Sequence, residues 1–349
     1  MEYRALGRTG IRVSSLCLGA MMFGANGNPD HEDCVRIIHR ALDAGINLID
    51  TADLYSTGES EVIVGEALAQ VARENVILAT KVHFPMGKDP NARGSSRRWI
   101  LAECDNSLRR LGVDYIDLYQ VHRPDPTVDI DETLGALTDL QRAGKIRVFG
   151  SSTFPAYQLV EAQWASERRG LGRFYTEQPP YSILVRAIEA DVLPVAEHYG
   201  LGVLPWSPLA GGWLSGSFGH GRDNTSYRAT GPLAARLGLA KRYDVTRPEN
   251  QRKVEIVTQL ANLADKAEIT MVELALAFVL EHPAISGALI GPRTIEQLET
   301  QLGAPDVALG SEILDAIDEL VPPGTNVVAR EMAYDAPALT ESRRRRRSA

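Results

Sequence analysis

Short apolar runs alternate with helical patterns along most of this chain, and many of the helical patterns stop at a glycine. The runs fall at residues 16–19, 46–50, 76–80, 115–121, 147–152, 174–178, 202–206 and 285–290. Helical spacing fills the gaps at 30–44, 61–71, 98–111, 131–142, 157–169 and 191–199, and returns at 254–267, 272–281, 294–302 and 311–320. Gly45, Gly112, Gly144 and Gly200 follow such stretches, where a residue without Cβ can end a helix in the left-handed conformation. Strands separated by a helix run parallel, because the return crossover takes about a dozen residues or more. Eight of them predict a closed (β/α)8 TIM barrel. An open doubly wound sheet is the competitor, but no Gly-x-Gly-x-x-Gly follows an early strand. Ahead of the barrel, residues 3–15 read as a β-hairpin turning between Gly7 and Gly10. After the seventh strand the rhythm fails from about 210 to 247, and loops of that length in compact folds are usually functional.

The chain has 349 residues, 44 % hydrophobic and 23 % charged, which suits one globular barrel. We expect that barrel to span 1–335, with 336–349 as a disordered tail carrying arginines at 343–347. A net charge of -8 argues against nucleic acid as a partner, so the arginine run reads as a solvated tail. No apolar stretch reaches the roughly 20 residues of a membrane span. Met1-Glu-Tyr-Arg lacks the apolar core of a signal peptide. Cys17, Cys34 and Cys104 are scattered without metal-ligand spacing, so no metal site is expected and a cytoplasmic location is. No assembly motif is visible.

In a parallel barrel, residues just past the strands' C-terminal ends line the active site. Asp50 ends the 46–50 run and Tyr55 follows it. Lys81 closes the next run, and His122 closes the one after. A free tyrosine titrates near ~10, and a neighbouring ammonium favours its phenolate. Lys81 is therefore expected to lower the Tyr55 pKa, with Asp50 holding Lys81 charged and in place. His122 can orient a substrate oxygen. The group suits proton transfer to a carbonyl or from an alcohol. None of the four supplies hydride, which a nicotinamide cofactor would bring. Singly, each has an ordinary explanation: a helix cap, a packed aromatic, a solvated charge, a structural hydrogen-bonder. Their joint placement at three successive strand ends carries the functional reading.

These residues sit in segments that together resemble the aldo-keto reductases: Leu18-Gly-Ala-Met-Met-Phe-Gly24, Ile49-Asp-Thr-Ala-Asp-Leu-Tyr55, Thr80-Lys81, Gln120-Val-His-Arg-Pro-Asp125 and Gly144-Lys-Ile-Arg-Val-Phe-Gly-Ser-Ser-Thr-Phe154. The resemblance runs from the hairpin to about Gln301. It implies a (β/α) barrel that reduces aldehydes and ketones with NADPH, with Tyr55 as general acid, Lys81 and Asp50 tuning it and His122 orienting the carbonyl. It also implies a cofactor site. Ser152 and Thr153, the latter where the family usually has Asn, match the pair that holds the nicotinamide carboxamide, and Gln178 matches the carboxamide's other partner. Trp206 matches the aromatic under the nicotinamide, and Gly19, Met21 and Asp50 lie alongside. Ser207, Pro208, Leu209 and Gly211 match the turn at the pyrophosphate. Gly291, Arg293, Gln297 and Gln301 match the adenosine end, where Arg293 would favour a 2′-phosphate and hence NADP. Ser217 stands where many relatives have a phosphate-binding lysine, and Arg228 is a candidate replacement. His83, Phe84, Met22, Phe23 and Trp213 are expected to wall a pocket for a small carbonyl substrate.

Two other functions fit parts of the pattern. Some barrels resembling this one are potassium-channel subunits that bind the nucleotide and turn over slowly. A lyase using Lys81 as a Schiff-base amine is the other, and Asp50 is its awkward piece, because it would keep the lysine charged.

Overall fold

The computed structural model describes residues 1–217, 240–328 and 331. Strands β1 (Tyr3–Ala5) and β2 (Arg12–Ser14) form the expected antiparallel hairpin. Eight parallel strands follow: β3 (Leu16–Gly19), β4 (Leu48–Asp50), β5 (Ile77–Val82), β6 (Ile116–Val121), β7 (Ile146–Ser152), β8 (Thr176–Gln178), β9 (Gly202–Val203) and β10 (Ala288–Ile290). Each pairs with its neighbour in sequence, and β10 pairs with β3. Parallel bridges Val203–Ile285 and Trp206–Leu289 join β9 to β10 and close the ring. Leu289 N donates to Pro205 O at 2.9 Å across that seam. The sheet is a (β/α)8 barrel.

Helices α1 (His31–Asp43), α2 (Glu59–Leu68), α3 (Arg97–Leu111), α4 (Ile130–Arg142), α5 (Ala156–Arg169) and α6 (Val192–Tyr199) alternate with the strands. Next come α7 (Ala240–Tyr243), α8 (Pro248–Lys266), α9 (Met271–Glu281), α10 (Ile295–Leu302) and α11 (Ser311–Leu320). Local chemistry sets their ends. Asp30 caps α1 by accepting from Asp33 N, and Thr270 and Glu273 form a reciprocal capping box on α9. Gly112, Gly170 and Gly200 end α3, α5 and α6 in the left-handed conformation.

The larger apolar core lies between sheet and helices. A smaller one fills the barrel's lower half with Cys17, Leu48, Ala79, Leu118, Val148, Leu204 and Leu289, plugged from below by Leu6 and Val13 of the hairpin segment. This inner layer positions the site. Side chains on a strand return to the same face every second residue. Two residues beyond Leu48, Ala79, Leu118 and Leu204 come Asp50, Lys81, Gln120 and Trp206. The layer above the apolar plug is therefore polar, and it opens at the strands' C-terminal ends.

Several boundaries differ from expectation. Strand β9 stops at Val203, short of 206, because Pro205 lacks the N–H a ladder requires and leaves single bridges instead; β8 and β10 start two and three residues later than 174–178 and 285–290. Helix α8 starts at Pro248 rather than 254: proline suits a first helical position, and the polar opening turn hid the period. The long stretch after β9 contains a 3-10 turn at Ala210–Gly212 and, at its end, α7. Residues 218–239 of that stretch, the expected boundary at 335 and the tail 336–349 lie outside the described residues. Among the described residues, no helix is long and apolar enough to cross a membrane.

Candidate active site

Lys81 is fully buried in β5, and its ammonium sits at the centre of the polar layer. Its Nζ donates to Asp50 Oδ1 at 2.5 Å, to Thr51 O at 2.8 Å and to Tyr55 Oη at 3.3 Å. The other Asp50 oxygen accepts from Gln120 Nε2 at 3.1 Å and from Gln178 Nε2 at 2.9 Å. Asp50 thus caps no helix; it is the buried anchor of the cluster. Tyr55 is held by a 3-10 turn, Tyr55–Gly58, in which Ser56 and Thr57 have positive φ. Its ring meets that of His122 edge-on, with centroids 5.8 Å apart. The four side chains expected from successive strand ends are brought together.

The electrostatics correct one expectation. Burial raises the Tyr55 pKa more than Lys81 lowers it, and the Asp50 charge raises it further, so the phenol lies above its ordinary value. Burial is the first cause; Lys81 opposes it, and Asp50, which lies closer to that ammonium than the phenol does, adds to the rise. Burial pulls Lys81 down, but Asp50 and the phenol outweigh it, and the group ends above its usual value, charged. A charged lysine is a poor Schiff-base amine, which weighs against a lyase. His122 is pushed well below its usual value, first by burial and then by Lys81 and Arg123, so it is neutral near pH 7. Its Nδ1 is buried with no partner among the described residues.

Around this cluster the expected cofactor residues fall along one rim. Ser152 Oγ donates to Gln178 O at 2.9 Å, and Thr153 follows with φ +62°. Trp206 is half-buried, its indole N–H without a partner among the described residues. Ser207 has φ +60°, and its Oγ accepts from Gly211 N at 2.9 Å, drawing Pro208 and Leu209 into a tight turn. Tyr243 Oη donates to Gly211 O at 2.8 Å and ties α7 to that turn. At the far end, Gln297 Oε1 accepts from Arg293 N at 2.8 Å, and Gln301 Nε2 donates to Gln297 O at 2.7 Å. Gly291 is exposed, and a Cβ there would meet nothing within 4 Å, so the protein itself does not require glycine. Gly19 and Met21 lie at the end of β3 and just past it, both half-buried. Arg228 lies outside the described residues. Unpartnered indole and imidazole nitrogens, left-handed turn residues and open space at Gly291 fit a nucleotide laid along this rim.

The expected pocket wall holds in part. Phe84 is half-buried and edge-on to His122 at 4.9 Å, and His83 adjoins it. Phe23 and Trp213 are instead core residues with no exposed surface, and Met22 is nearly so. Trp213 stacks on Tyr243, with Lys253 Nζ 5.1 Å from its ring centre. Sequence reasoning gave no role to Gln120, although it stands two residues beyond the inward-facing Leu118. Nor did it give one to Glu177, whose carboxylate accepts from Ser151 Oγ at 2.5 Å and Phe154 N at 3.1 Å.

Barrel, buried Asp–Lys pair, phenol and imidazole define an oxidoreductase-type site at the C-terminal end of a (β/α)8 sheet. The description "Aldo/keto reductase family" matches residues 15–322. The chain is 40 % identical over 335 residues to YrpG of Bacillus subtilis (strain 168), described as an uncharacterized oxidoreductase, covering 92 % of this chain and 96 % of that one. It is 36 % identical to the aldo-keto reductase YhdN of the same organism, over 89 % of this chain and 91 % of that one. It is 35 % identical to a putative voltage-gated potassium channel subunit beta of Schizosaccharomyces pombe, over 92 % and 93 %. The chain belongs to the aldo/keto reductase family.

Proposed function

We propose that this protein reduces aldehydes or ketones to alcohols, reversibly, with NADPH as cofactor and Tyr55 as the proton donor. The observation that carries the reading is one buried ammonium, Lys81, bonded at once to a carboxylate and to a phenol beside a neutral imidazole. The bound nicotinamide would supply the hydride. Everything else falls to the chain. Tyr55 keeps its proton near neutral pH and gives it to the substrate oxygen as negative charge builds there. Lys81, 3.3 Å away, stabilises the phenolate left behind. Asp50 keeps that ammonium charged and fixed. His122 hydrogen-bonds the same oxygen and orients it. Oxidation of an alcohol uses the reverse proton path.

Ser152, Thr153 and Gln178 would hold the carboxamide, and Trp206 the nicotinamide face, with Gly19 and Met21 alongside. Ser207, Pro208, Leu209 and Gly211 would follow the pyrophosphate, and Gly291, Arg293, Gln297 and Gln301 the adenosine end. A cytoplasmic location belongs to the same reading, since Cys17, Cys34 and Cys104 are buried free thiols suited to a reducing compartment.

The test is consumption of NADPH with a panel of reactive aldehydes and ketones. Tyr55→Phe should lower the rate about 10²–10⁴-fold, the usual worth of a positioned proton donor. An unchanged rate in that variant removes Tyr55 from the mechanism. The similarity to a chain described as a potassium channel subunit favours a second reading, a nucleotide-binding regulatory subunit. Tight NADPH binding with no turnover across the whole panel would select it.

A further inference from the structure

Arg123 has no role in the chemistry above, yet its guanidinium lies in the same recess. Its central carbon is 5.7 Å from the Phe84 ring centre and 5.9 Å from that of Trp206. Phe84 in turn stands edge-on to His122. Arg123 is close enough to Tyr55 for its charge to lower the phenol's pKa.

The guanidinium is under-used. One nitrogen, Nη1, donates to His122 O at 2.5 Å. An arginine carries five donors in a fork that matches a carboxylate. Among the described residues, no carboxylate comes within ion-pair distance of it. Glu177 acts on it electrostatically, but that carboxyl is engaged by Ser151 and Phe154. Arg173, away from the site, is likewise bonded to a backbone carbonyl, Tyr199 O, but three other part-buried arginines differ. Arg73 meets Asp117 at 2.6 Å, Arg110 meets Glu61 at 2.6 Å, and Arg186 meets Glu189 at 2.8 Å. Burial opposes the Arg123 charge, and a cation kept half-desolvated without a counter-ion is unfavourable until an anion arrives.

The geometry points to a substrate that carries its own carboxylate: an oxo-acid whose carbonyl meets Tyr55 and His122 while its carboxylate is taken by Arg123 between the Phe84 and Trp206 rings. Arg123 would then set specificity, and a bidentate guanidinium–carboxylate pair would reject neutral analogues. The inference rests on the carbonyl-reductase reading and names its substrate class.

The test compares 4-carboxybenzaldehyde with its methyl ester as substrates with NADPH. The wild type should favour the acid at least tenfold in kcat/KM. Arg123→Met should cut that acid-to-ester ratio at least tenfold, mostly through KM for the acid, and Arg123→Lys should restore part of it. A wild type without preference for the acid, or a ratio unchanged in Arg123→Met, overturns the inference. So does a variant whose only defect is weaker NADPH binding, since Arg123 would then serve the cofactor. If neither aldehyde turns over, the reductase reading fails, and calorimetric titration with benzoate decides this one separately. Saturable binding that weakens at least tenfold in Arg123→Met supports it; equal binding to both proteins, or none to the wild type, sinks it.

Discussion

Thr153 shows what a single residue hides in a sequence. The family resemblance leads one to expect Asn there, and side-chain reach alone is the visible difference. The structure adds that its φ is +62°, a region where a β-branched side chain is crowded at a cost of roughly 1–2 kcal/mol. Asn enters that region several-fold more readily. Ser56, Thr57, Ser207 and Ala210 share positive φ, and all flank the site. Such backbone strain leaves little trace in composition or period, which is why it could not be read beforehand. Thr153 stays there because its N–H donates to Gln178 O at 3.2 Å and Phe154 N is held by Glu177. Thr153→Asn is therefore expected to raise the unfolding free energy by about 0.5–1 kcal/mol in urea denaturation. A less stable variant would mean that Thr153 is not strained. Lys81, by contrast, was legible, because it closes an apolar run and strand ends are written directly in the order of residues; Gln178 and Trp206 were marked only by the family resemblance.

Among elements, the strand and helix order was legible because glycine stops and apolar periods are local signals. The clamp behind the site was not, because its partners are far apart in sequence. Thr80, next to Lys81, donates to Glu61 Oε1 of α2 at 2.6 Å. The other Glu61 oxygen accepts from Arg110 Nε of α3 at 2.6 Å, and Arg110 Nη2 donates to Glu103 Oε1 at 2.5 Å. Both glutamates are fully buried. On a helix, Glu61 reads as a solvated charge; only packing α2 against α3 reveals it as half of a buried pair. Removing the shared cation leaves two carboxylates buried without it, which in comparable cases costs about 3–5 kcal/mol. Arg110→Met should destabilise the fold by that order. Replacing all three groups with apolar residues of similar volume should recover much of it. Thermal and denaturant unfolding check both variants. An Arg110→Met protein as stable as the wild type would show that Glu61 and Glu103 are not charged together.

At the scale of the whole molecule, other buried acids tie stability to pH. Burial, against the bonds from Ser151 and Phe154, holds the Glu177 carboxyl up to about 7, from an ordinary value of 4.5. Burial, with Glu61 and Glu103 nearby, also lifts Asp53 well above its ordinary value. The folded protein therefore keeps protons that the unfolded chain releases. Stability from Glu177 is complete below about pH 4.5 and is lost as pH rises through about 7. Asp33 runs the other way, held down first by its bond from Arg36, so its contribution is lost only as pH falls below the ordinary carboxylate range. The two windows barely overlap. Above about pH 6.5, where the buried neutral His122 and His83 no longer add stability as pH rises, the Glu177 contribution should fall, and Glu177→Gln should flatten that slope. Glutamine removes the ionisation while its oxygen still accepts from Phe154 N and its amide nitrogen donates to Ser151 Oγ in a reversed bond. At pH 8 the variant should be more stable than the wild type, by up to roughly 3 kcal/mol from the size of the shift. Ionisation at high pH strengthens the individual bonds from Ser151 and Phe154 to the Glu177 carboxylate, so the loss of stability comes from burying the charge and not from loosening the turn. Parallel unfolding curves for both proteins would mean that Glu177 does not titrate in this range.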